Sequence, residues 1–311
     1  MKYIILILVS FLLSTCCVCE DDYMLRCEGL SESIEYNPET INRKVLVIGI
    51  DGIRSDVMQD SISPFLFDLS LQEDTYFTDS HMTERITYSG PNWSSLLTGV
   101  HMSKHNVLEN EFLNPNFYQY PSFFYYLENI EEPINTVSIV NWLPIHTHIL
   151  SDVVDYAPTE SISDLEVFNS CKEILLNNNP VEGDVIFLHF DELDGAGHSY
   201  GFSADVEEYR NTLTTIDGYT EELFNIIESK RDNGEDWIVF IVSDHGGDGT
   251  GHVDADNPYI NQTVFYAQHP NINFTDYHTT SMADLAPTIL DFLGVGSEKY
   301  HCIKDGVSII E

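Results

Sequence analysis

Carboxylate and imidazole side chains, which bind zinc and other divalent cations, follow three apolar segments of this sequence. The segments are KVLVIGI, DVIFLHF and DWIVFIV, and each has the length and composition of a buried strand. The candidate metal ligands that follow these segments are Asp51, Asp194, His198, Asp244, His245 and His252. Because open α/β sheets bind their ligands beyond the carboxyl ends of their strands, we expect these side chains to meet at one edge of a sheet.

Each position also has a purely structural interpretation. An aspartate followed by glycine after a strand, as at Asp51, is usually a turn, and the glycine-rich stretch DELDGAGH is predicted to be a loop that must coil before its acid and histidine can share an ion. Asp244 and His245 are a stronger signal, because a charged pair directly beyond a buried strand is unfavourable unless a partner satisfies it. The joint occurrence of these groups favours a metal site over coincidence. Asp217, within a helical pattern, is expected at the surface.

Ser89, in TYSGPNWSSLLTG, is the candidate nucleophile. Pro91 suits the first turn of a helix that continues to Leu97 and ends at Gly99, so Ser89 would lie beside a helix N-terminus, where amide groups favour an oxyanion or a phosphate. The alternative is that Ser89 only caps the helix. A nearby divalent cation would favour the nucleophile, because coordination lowers the pKa of a hydroxyl group.

Continuous apolar runs that alternate with amphipathic segments predict an α/β fold, with a central, largely parallel sheet and helices on both faces. The strands are predicted at residues 44–51, 135–140, 184–190, 236–242 and 263–267, and the clearest helices at residues 203–230 and 287–293. Residues 41–311 are interpreted as a single catalytic domain, and residues 20–40 as an N-terminal extension.

The first 19 residues are predicted to be a signal peptide. One basic residue, Lys2, precedes an apolar run at residues 3–13, and small residues follow where a peptidase could cut. The run is shorter than the ~20 residues that span a bilayer, so we expect a secreted, extracellular protein without stable membrane insertion. In an oxidising compartment one disulfide is possible, and Cys27 with Cys302 is the expected pair.

The sequence carries 13 basic and 51 acidic residues, a formal net charge of −38. Such a surface repels polyanions, which argues against nucleic-acid polymers as partners. A phosphate substrate must therefore be small or held by bound cations.

The candidate residues together resemble the alkaline phosphatase superfamily and, within it, the nucleotide pyrophosphatase/phosphodiesterase family. In that family an aspartate follows the first strand, as in VIGIDGIRSD, and a stretch of the form T-F-P-N-H-Y-S-x-V-T-G follows, which here reads SGPNWSSLLTG. The family's D-x-x-x-H pair falls on Asp194 and His198, and its D-H pair falls on Asp244 and His245. The resemblance covers nearly the whole chain from Lys44 to about Gly294.

The resemblance implies a two-metal hydrolase of small phosphate diesters or pyrophosphates. It places the nucleophile, which would form a phosphoseryl intermediate, at Ser89, and a side chain that binds a nonbridging phosphate oxygen at Asn92. Zinc is the implied ion at both sites. One site would comprise Asp194, His198 and a third histidine, and the other would comprise Asp51, Asp244, His245 and the Ser89 oxygen. The implied substrate is a nucleotide or a head-group diester.

Two departures from the family pattern leave alternatives open. Serine replaces the usual threonine at the nucleophile, as in alkaline phosphatases, so a phosphomonoesterase is the alternative function. Only six residues separate His245 from His252, where family members have a long insertion, so His252 is the expected last ligand and His278 the alternative. A sulfatase is disfavoured because Trp93 replaces the arginine of the sulfatase motif. A non-catalytic relative is disfavoured because the ligand set is complete.

Overall fold

The structure is a computed structural model that describes residues 37, 39–40, 42–130, 134–150, 153–277, 279–295 and 303–311. The predicted signal peptide, the Cys27–Cys302 pair and His278 lie outside these residues, and Cys171 is buried and forms no disulfide with any described residue. Within the described part, no helix is both long and apolar enough to cross a bilayer. The strands are β1 (Arg43–Ile50), β2 (Thr75–Met82), β3 (Thr136–Val140), β4 (Val185–Phe190), β5 (Asp236–Val242), β6 (Gln262–Gln268) and β7 (Thr280–Ser281).

These strands form one sheet in the order β3-β4-β1-β5-β6-β2-β7. Neighbouring strands are parallel except that β6 runs antiparallel to both β5 and β2, so the predicted α/β class and largely parallel sheet are confirmed. The five predicted strands are present. Strands β2 and β7 were not predicted: β2 is half-buried and reads TYFTDSHM, and β7 has only two residues.

Helices cover both faces of the sheet, as predicted. They are α1 (Pro64–Leu69), α2 (Ser89–Thr98), α3 (Met102–His105), α4 (Phe123–Glu128), α5 (Asp164–Leu175), α6 (Glu192–Tyr200), α7 (Glu207–Asp232), α8 (Pro258–Asn261) and α9 (Leu285–Phe292). Alternate residues of β1 point to opposite faces. Val45 and Val47 belong to the apolar cluster with α2, α4 and α9, whereas Leu46 and Ile48 belong to the cluster with α1, α5 and α7. Apolar contacts on both sides thus hold β1 at the centre of the sheet.

Two local predictions were wrong. The stretch DELDGAGH is not a loop, because residues 192–200 form helix α6. Asp217 is not at the surface: it is buried, and its carboxylate accepts hydrogen bonds from the backbone N–H groups of Phe65 and Leu66 at 3.0 and 2.9 Å. These two groups lie in the first turn of α1, where backbone N–H groups have no partner within the helix, so Asp217 joins α7 to α1.

Candidate functional site

The candidate site lies at the carboxyl ends of three neighbouring parallel strands. Asp51 follows β1 directly, Asp191 follows β4 directly, and Asp244 follows β5 after one serine. Because β4, β1 and β5 are adjacent in the sheet, these carboxylates emerge side by side at one edge. The site is therefore built by the sheet itself, helices α2 and α6 add Ser89, Asp194 and His198, and the loop between β5 and α8 adds His245 and His252.

The first group of candidate ligands comprises Asp51, Asp244 and His245, all fully buried. The Nε2 atom of His245 lies 3.3 Å from Oδ1 of Asp51 and 3.4 Å from Oδ2 of Asp244. The Nδ1 atom of His245 lies 2.7 Å from the carbonyl oxygen of Gly246. Because a carbonyl oxygen can only accept, Nδ1 carries the proton and the Nε2 lone pair points toward the two carboxylates.

The second group comprises Asp194, His198 and His252. Asp194 and His198 are four residues apart on α6 and therefore share one face of that helix, with Nε2 of His198 lying 3.4 Å from Oδ2 of Asp194. Nε2 of His198 lies 3.2 Å from Nε2 of His252, and the His252 ring stacks on the His245 ring with a centroid distance of 3.8 Å. The two groups are thus direct neighbours.

Both histidines of the second group place Nδ1 on a backbone carbonyl oxygen, as His245 does. The Nδ1 atom of His198 lies 3.0 Å from the carbonyl oxygen of Thr250, and that of His252 lies 2.8 Å from the carbonyl oxygen of Thr87. Each Nδ1–H therefore donates to the backbone, which fixes the ring and turns the Nε2 lone pair toward the other ligands. Metal-binding histidines are held in this way.

The electrostatics of the two groups favour bound cations. Burial, with the neighbouring Asp244 carboxylate, raises the pKa of Asp51 to about 8, and burial also raises the pKa of Asp194 to about 8 and that of Asp244 well above its ordinary value. Burial lowers the pKa of His252 to about 3. Each of these three aspartates has one buried carboxylate oxygen with no hydrogen-bond partner among the residues that the structure describes. Carboxylate oxygens and imidazole lone pairs that converge in this way fit divalent cations such as zinc.

Ser89 is the first residue of α2, and its side chain lies beside the first group. Its Oγ atom is 3.4 Å from Nε2 of His245, and the residue is 7% exposed. The helix ends at Gly99, whose φ of +70° is the left-handed conformation that glycine favours. In the first turn of α2, Pro91 has no N–H group, and the N–H groups of Gly90 and Asn92 donate to Oδ1 of Asn110 at 2.8 Å and to the carbonyl oxygen of Tyr88 at 3.4 Å.

Asn92 does not lie where the prediction placed it. The residue is fully buried, its Oδ1 atom accepts a hydrogen bond from the Glu84 N–H at 2.8 Å, and its Nδ2 group donates to the carbonyl oxygens of Ile86 and Tyr88 at 3.1 and 2.8 Å. Both amide hydrogens are used by the backbone. Asn92 therefore shapes the loop that leads to Ser89, and its amide does not face the site.

Asn110 is the side-chain amide that the structure places beside Ser89, and sequence reasoning missed it. Its Oδ1 atom accepts a hydrogen bond from the N–H group of Gly90 at 2.8 Å, and the residue is exposed. The Nδ2 group has no hydrogen-bond partner among the described residues. Asn110 lies in a loop without a periodic pattern, and the sequence contains no local signal that links it to the start of α2.

Both the sequence and the fold of this chain are similar to those of known proteins. The sequence profile described as type I phosphodiesterase / nucleotide pyrophosphatase matches residues 45–289. Bovine (Bos taurus) bis(5'-adenosyl)-triphosphatase ENPP4 is 26% identical over 243 residues, which is 72% of this chain and 52% of that protein. The chain thus spans about half the length of the curated relatives it matches.

Solved structures share the fold at low sequence identity. Murine ectonucleotide pyrophosphatase / phosphodiesterase 5, as an inactive variant in complex with AMP, aligns with a TM-score of 0.61 and 13% identity over 86% of this chain and 100% of that chain. The C-terminal periplasmic domain of EptC from Escherichia coli, in complex with zinc, aligns with a TM-score of 0.57 and 16% identity over 86% of this chain and 87% of that domain. Because the profile covers most of the chain, the protein belongs to the type I phosphodiesterase / nucleotide pyrophosphatase family.

Proposed function

We propose that this protein is a secreted two-metal hydrolase of small phosphate diesters or pyrophosphates, with Ser89 as its nucleophile. The observation that carries the proposal is the common orientation of three histidines beside Ser89. His198, His245 and His252 each donate Nδ1–H to a backbone carbonyl and turn Nε2 toward buried carboxylates. A set of lone pairs that converge in this way has no evident use except to bind cations.

The two groups would hold one cation each. Divalent cations, when bound there, would lower the pKa of the Ser89 hydroxyl and offset the negative charge of the phosphate. Residues Asp51, Asp244 and His245, with the Ser89 oxygen, would form one site, and residues Asp194, His198 and His252 the other. Zinc is the proposed ion, since the donor sets combine carboxylate oxygen with imidazole nitrogen.

The chain's own groups account for the covalent chemistry. The Ser89 Oγ atom would attack phosphorus, forming an Oγ–P bond while the bond from phosphorus to the leaving oxygen breaks. The intermediate is a phosphoseryl ester that keeps the other substituent of the diester, while the leaving oxygen departs as an alcohol after it takes up a proton. Water then attacks the same phosphorus, the Oγ–P bond breaks, a phosphate monoester is released, and the Ser89 hydroxyl regains its proton. The Nδ2 group of Asn110, whose Oδ1 accepts from the Gly90 N–H, would donate to a nonbridging phosphate oxygen, the role that the family resemblance implied for Asn92.

Several observations bear on the substrate and the location. The bovine relative is named for a bis(5'-adenosyl)-triphosphatase and the murine neighbour is described with AMP, which makes nucleotides the first compounds to test. The net charge of −38 disfavours polyanionic partners. The side chain of His198 is 45% exposed, so a small substrate can reach the second group from solvent. The apolar run at residues 3–13 supports secretion.

A substrate panel tests the proposal. Purified, zinc-loaded protein is assayed with chromogenic phosphodiester, phosphomonoester and sulfate substrates, with and without a chelator. A chelator-sensitive preference for the diester is expected. A monoester preference would favour the alkaline phosphatase type of activity, which Ser89 in place of threonine also suggests. No turnover of any substrate would support a non-catalytic relative.

The Ser89→Ala variant tests the nucleophile. We expect a fall in kcat/KM of about 1,000-fold or more, with metal content unchanged, because the first group retains three other ligands. The control is Ser94→Ala on the same helix, since the Ser94 hydroxyl donates only to the carbonyl oxygen of Gly90. Mass spectrometry of the peptide that contains residue 89 should detect, in the wild type during turnover, a phosphoryl adduct that carries the retained substituent of the diester. Full activity of Ser89→Ala would refute the assignment.

A further inference from the structure

Two N–H donors from different elements hold the same oxygen atom of Asp51. The indole Nε1 of Trp93, on α2, donates to Oδ2 of Asp51 at 3.0 Å, and Nε2 of His189, on β4, lies 3.2 Å from the same oxygen. Because an ionised carboxylate can only accept, Nε2 of His189 carries the proton when Asp51 is ionised. All three residues are buried. The other carboxylate oxygen, Oδ1, has no hydrogen-bond partner among the described residues and lies 3.3 Å from Nε2 of His245. Asp51 therefore has one oxygen fixed and one directed at the first group of ligands.

Strand β1 has a glycine, Gly49, at the position where the Trp93 ring packs against it. A Cβ atom at Gly49 would lie 2.6 Å from Cη2 of Trp93, so the ring occupies the space that a side chain at this position of β1 would need. Gly49 and His189 are paired residues of the adjacent strands β1 and β4. The rings of Trp93 and His189 meet edge to face, with centroids 4.8 Å apart and an interplanar angle of 78°. Both donors are thus held by close packing as well as by their bonds to Asp51.

We propose that Trp93 and His189 are positioning residues that orient Asp51 for cation binding and tie the helix of Ser89 to strand β1. This inference rests on the proposed function, which makes Asp51 a metal ligand. With Oδ2 engaged by two donors, the carboxylate cannot rotate freely, and Oδ1 stays aimed at the site. Outer hydrogen bonds of this kind typically change metal affinity by about 10- to 100-fold.

The alternative is that His189 is itself a metal ligand. Asp51, His189 and Asp191 lie close enough to form a third group of candidate ligands, and Nδ1 of His189 is buried without a hydrogen-bond partner among the described residues. The geometry favours positioning, because a third ion on Oδ2 of Asp51 would displace or oppose two N–H donors that already point at that oxygen. The number of bound ions distinguishes the two roles.

Zinc affinity, measured by competition with a chromogenic chelator, tests the inference without an activity assay. Trp93→Phe keeps an aromatic ring and removes the N–H donor, and His189→Leu removes the second donor. We expect zinc at the Asp51 site to bind about 10- to 100-fold more weakly in each. His189→Gln, whose amide nitrogen can replace Nε2, should restore most of the affinity. Trp237→Phe is the matched control, since the Trp237 indole donates to Glu235 at the far end of β5.

A spectroscopic readout complements the affinities. Zinc should draw negative charge from Asp51 and weaken its bond to the indole, so the tryptophan absorption band should shift when zinc is added to the wild type and to Trp237→Phe. The same shift should be absent from Trp93→Phe. A purely structural role for Trp93 would lower the thermal midpoint of the variant but would leave its zinc affinity unchanged.

The outcomes separate this inference from the proposed function. Two zinc ions bound with the same affinity in the wild type, in Trp93→Phe and in His189→Leu would overturn the positioning role and leave the proposed function intact. Absence of zinc binding in the wild type would overturn both. Three ions in the wild type and two in His189→Leu would make His189 a ligand and would also overturn the inference. If Trp93→Phe fails to fold, the zinc affinities of His189→Leu and His189→Gln test the positioning role instead.

Discussion

At the scale of single residues, the tertiary fold sets the direction of each imidazole. The carbonyl groups of Thr87, Gly246 and Thr250 accept the Nδ1–H of His252, His245 and His198, so that three rings expose Nε2 to the same small volume. Thr87 is 165 residues from His252, and Thr250 is 52 residues from His198, so both contacts depend on the tertiary fold. Sequence spacing can nominate a histidine as a ligand, but it cannot show which nitrogen is free.

The His252→Ala variant tests the composition of the second group. We expect the number of bound zinc ions to fall from two to one per chain, because Asp194 and His198 alone leave a cation with too few protein ligands. Metal content after dialysis, measured by mass spectrometry, reports the result. The control is His269→Ala, since His269 is buried and bonded to Asp236 at the opposite edge of the sheet. An unchanged count of two in His252→Ala would exclude His252 as a ligand.

The predictable part of the site was the part that lies next to a strand end or within a short motif. Asp51, Asp244 and His245 follow apolar strands, so their meeting at one edge follows from the parallel order of those strands. Asn92 and Asn110 show the limit. Both are asparagines near Ser89, and only the fold reveals that the Asn92 amide is used by the backbone while Asn110 bonds to Gly90. The metal-binding role of these groups stays a prediction.

At the scale of elements, helix α6 was predicted as a loop because of its glycine content. Gly197 lets this helix pack closely on Phe202: a Cβ atom there would lie 2.2 Å from the Phe202 ring, whereas a Cβ atom at Gly195 would meet nothing within 4 Å. Glycine lowers helix propensity, so the local sequence argued against a helix that tertiary packing stabilises. Close approach of α6 to Phe202 is what holds the Asp194 face of the helix toward the site.

Two matched glycine substitutions test this account of α6. Gly195→Ala should leave zinc affinity unchanged and stabilise the protein by up to about 1 kcal/mol, since alanine is the better helix former. Gly197→Ala should destabilise it by about 1–3 kcal/mol and weaken zinc binding at the Asp194 site, because the new methyl group must displace Phe202 or the helix. Urea unfolding and chelator competition measure both effects. Equal behaviour of the two variants would contradict the packing role of Gly197.

At the scale of the whole molecule, the site is a cluster of buried acids within a strongly acidic protein. The formal net charge is −38, so surface charge does not assist the ionisation of Asp51, Asp194 and Asp244. Burial is the first cause of the raised pKa of each of these three. Bound cations would stabilise the ionised form of these three carboxylates. The free energy of unfolding should therefore depend on both the zinc concentration and the pH.

The pH dependence of the metal-free protein follows from the sign of these shifts. Asp51 and Asp194 have a pKa of about 8 in the folded chain and about 4 when unfolded, so between those values the native state binds more protons than the unfolded state. Stability must therefore fall as pH rises through that range, by up to ~1.4 kcal/mol per pH unit for each carboxyl group. The lowered pKa of His252 no longer contributes to the pH dependence of stability above pH about 6.5, because a histidine in the unfolded chain is then also mostly neutral.

We therefore expect urea unfolding of the metal-free protein to show a free energy of unfolding that decreases from pH about 6.5 to about 8. Burial lowers the pKa of Lys304 to about 7, which opposes this trend. Above that pH the folded chain binds at most one proton fewer at Lys304 than the unfolded chain does, and the aspartates outweigh this difference. Asp194→Asn should remove the share of the decrease that comes from Asp194 and leave the contribution of Lys304 unchanged. Zinc should abolish the decrease, because the cation replaces the protons and binds more tightly as pH rises. A metal-free protein whose stability is flat or rises over this interval would show that these carboxylates are already ionised without a cation.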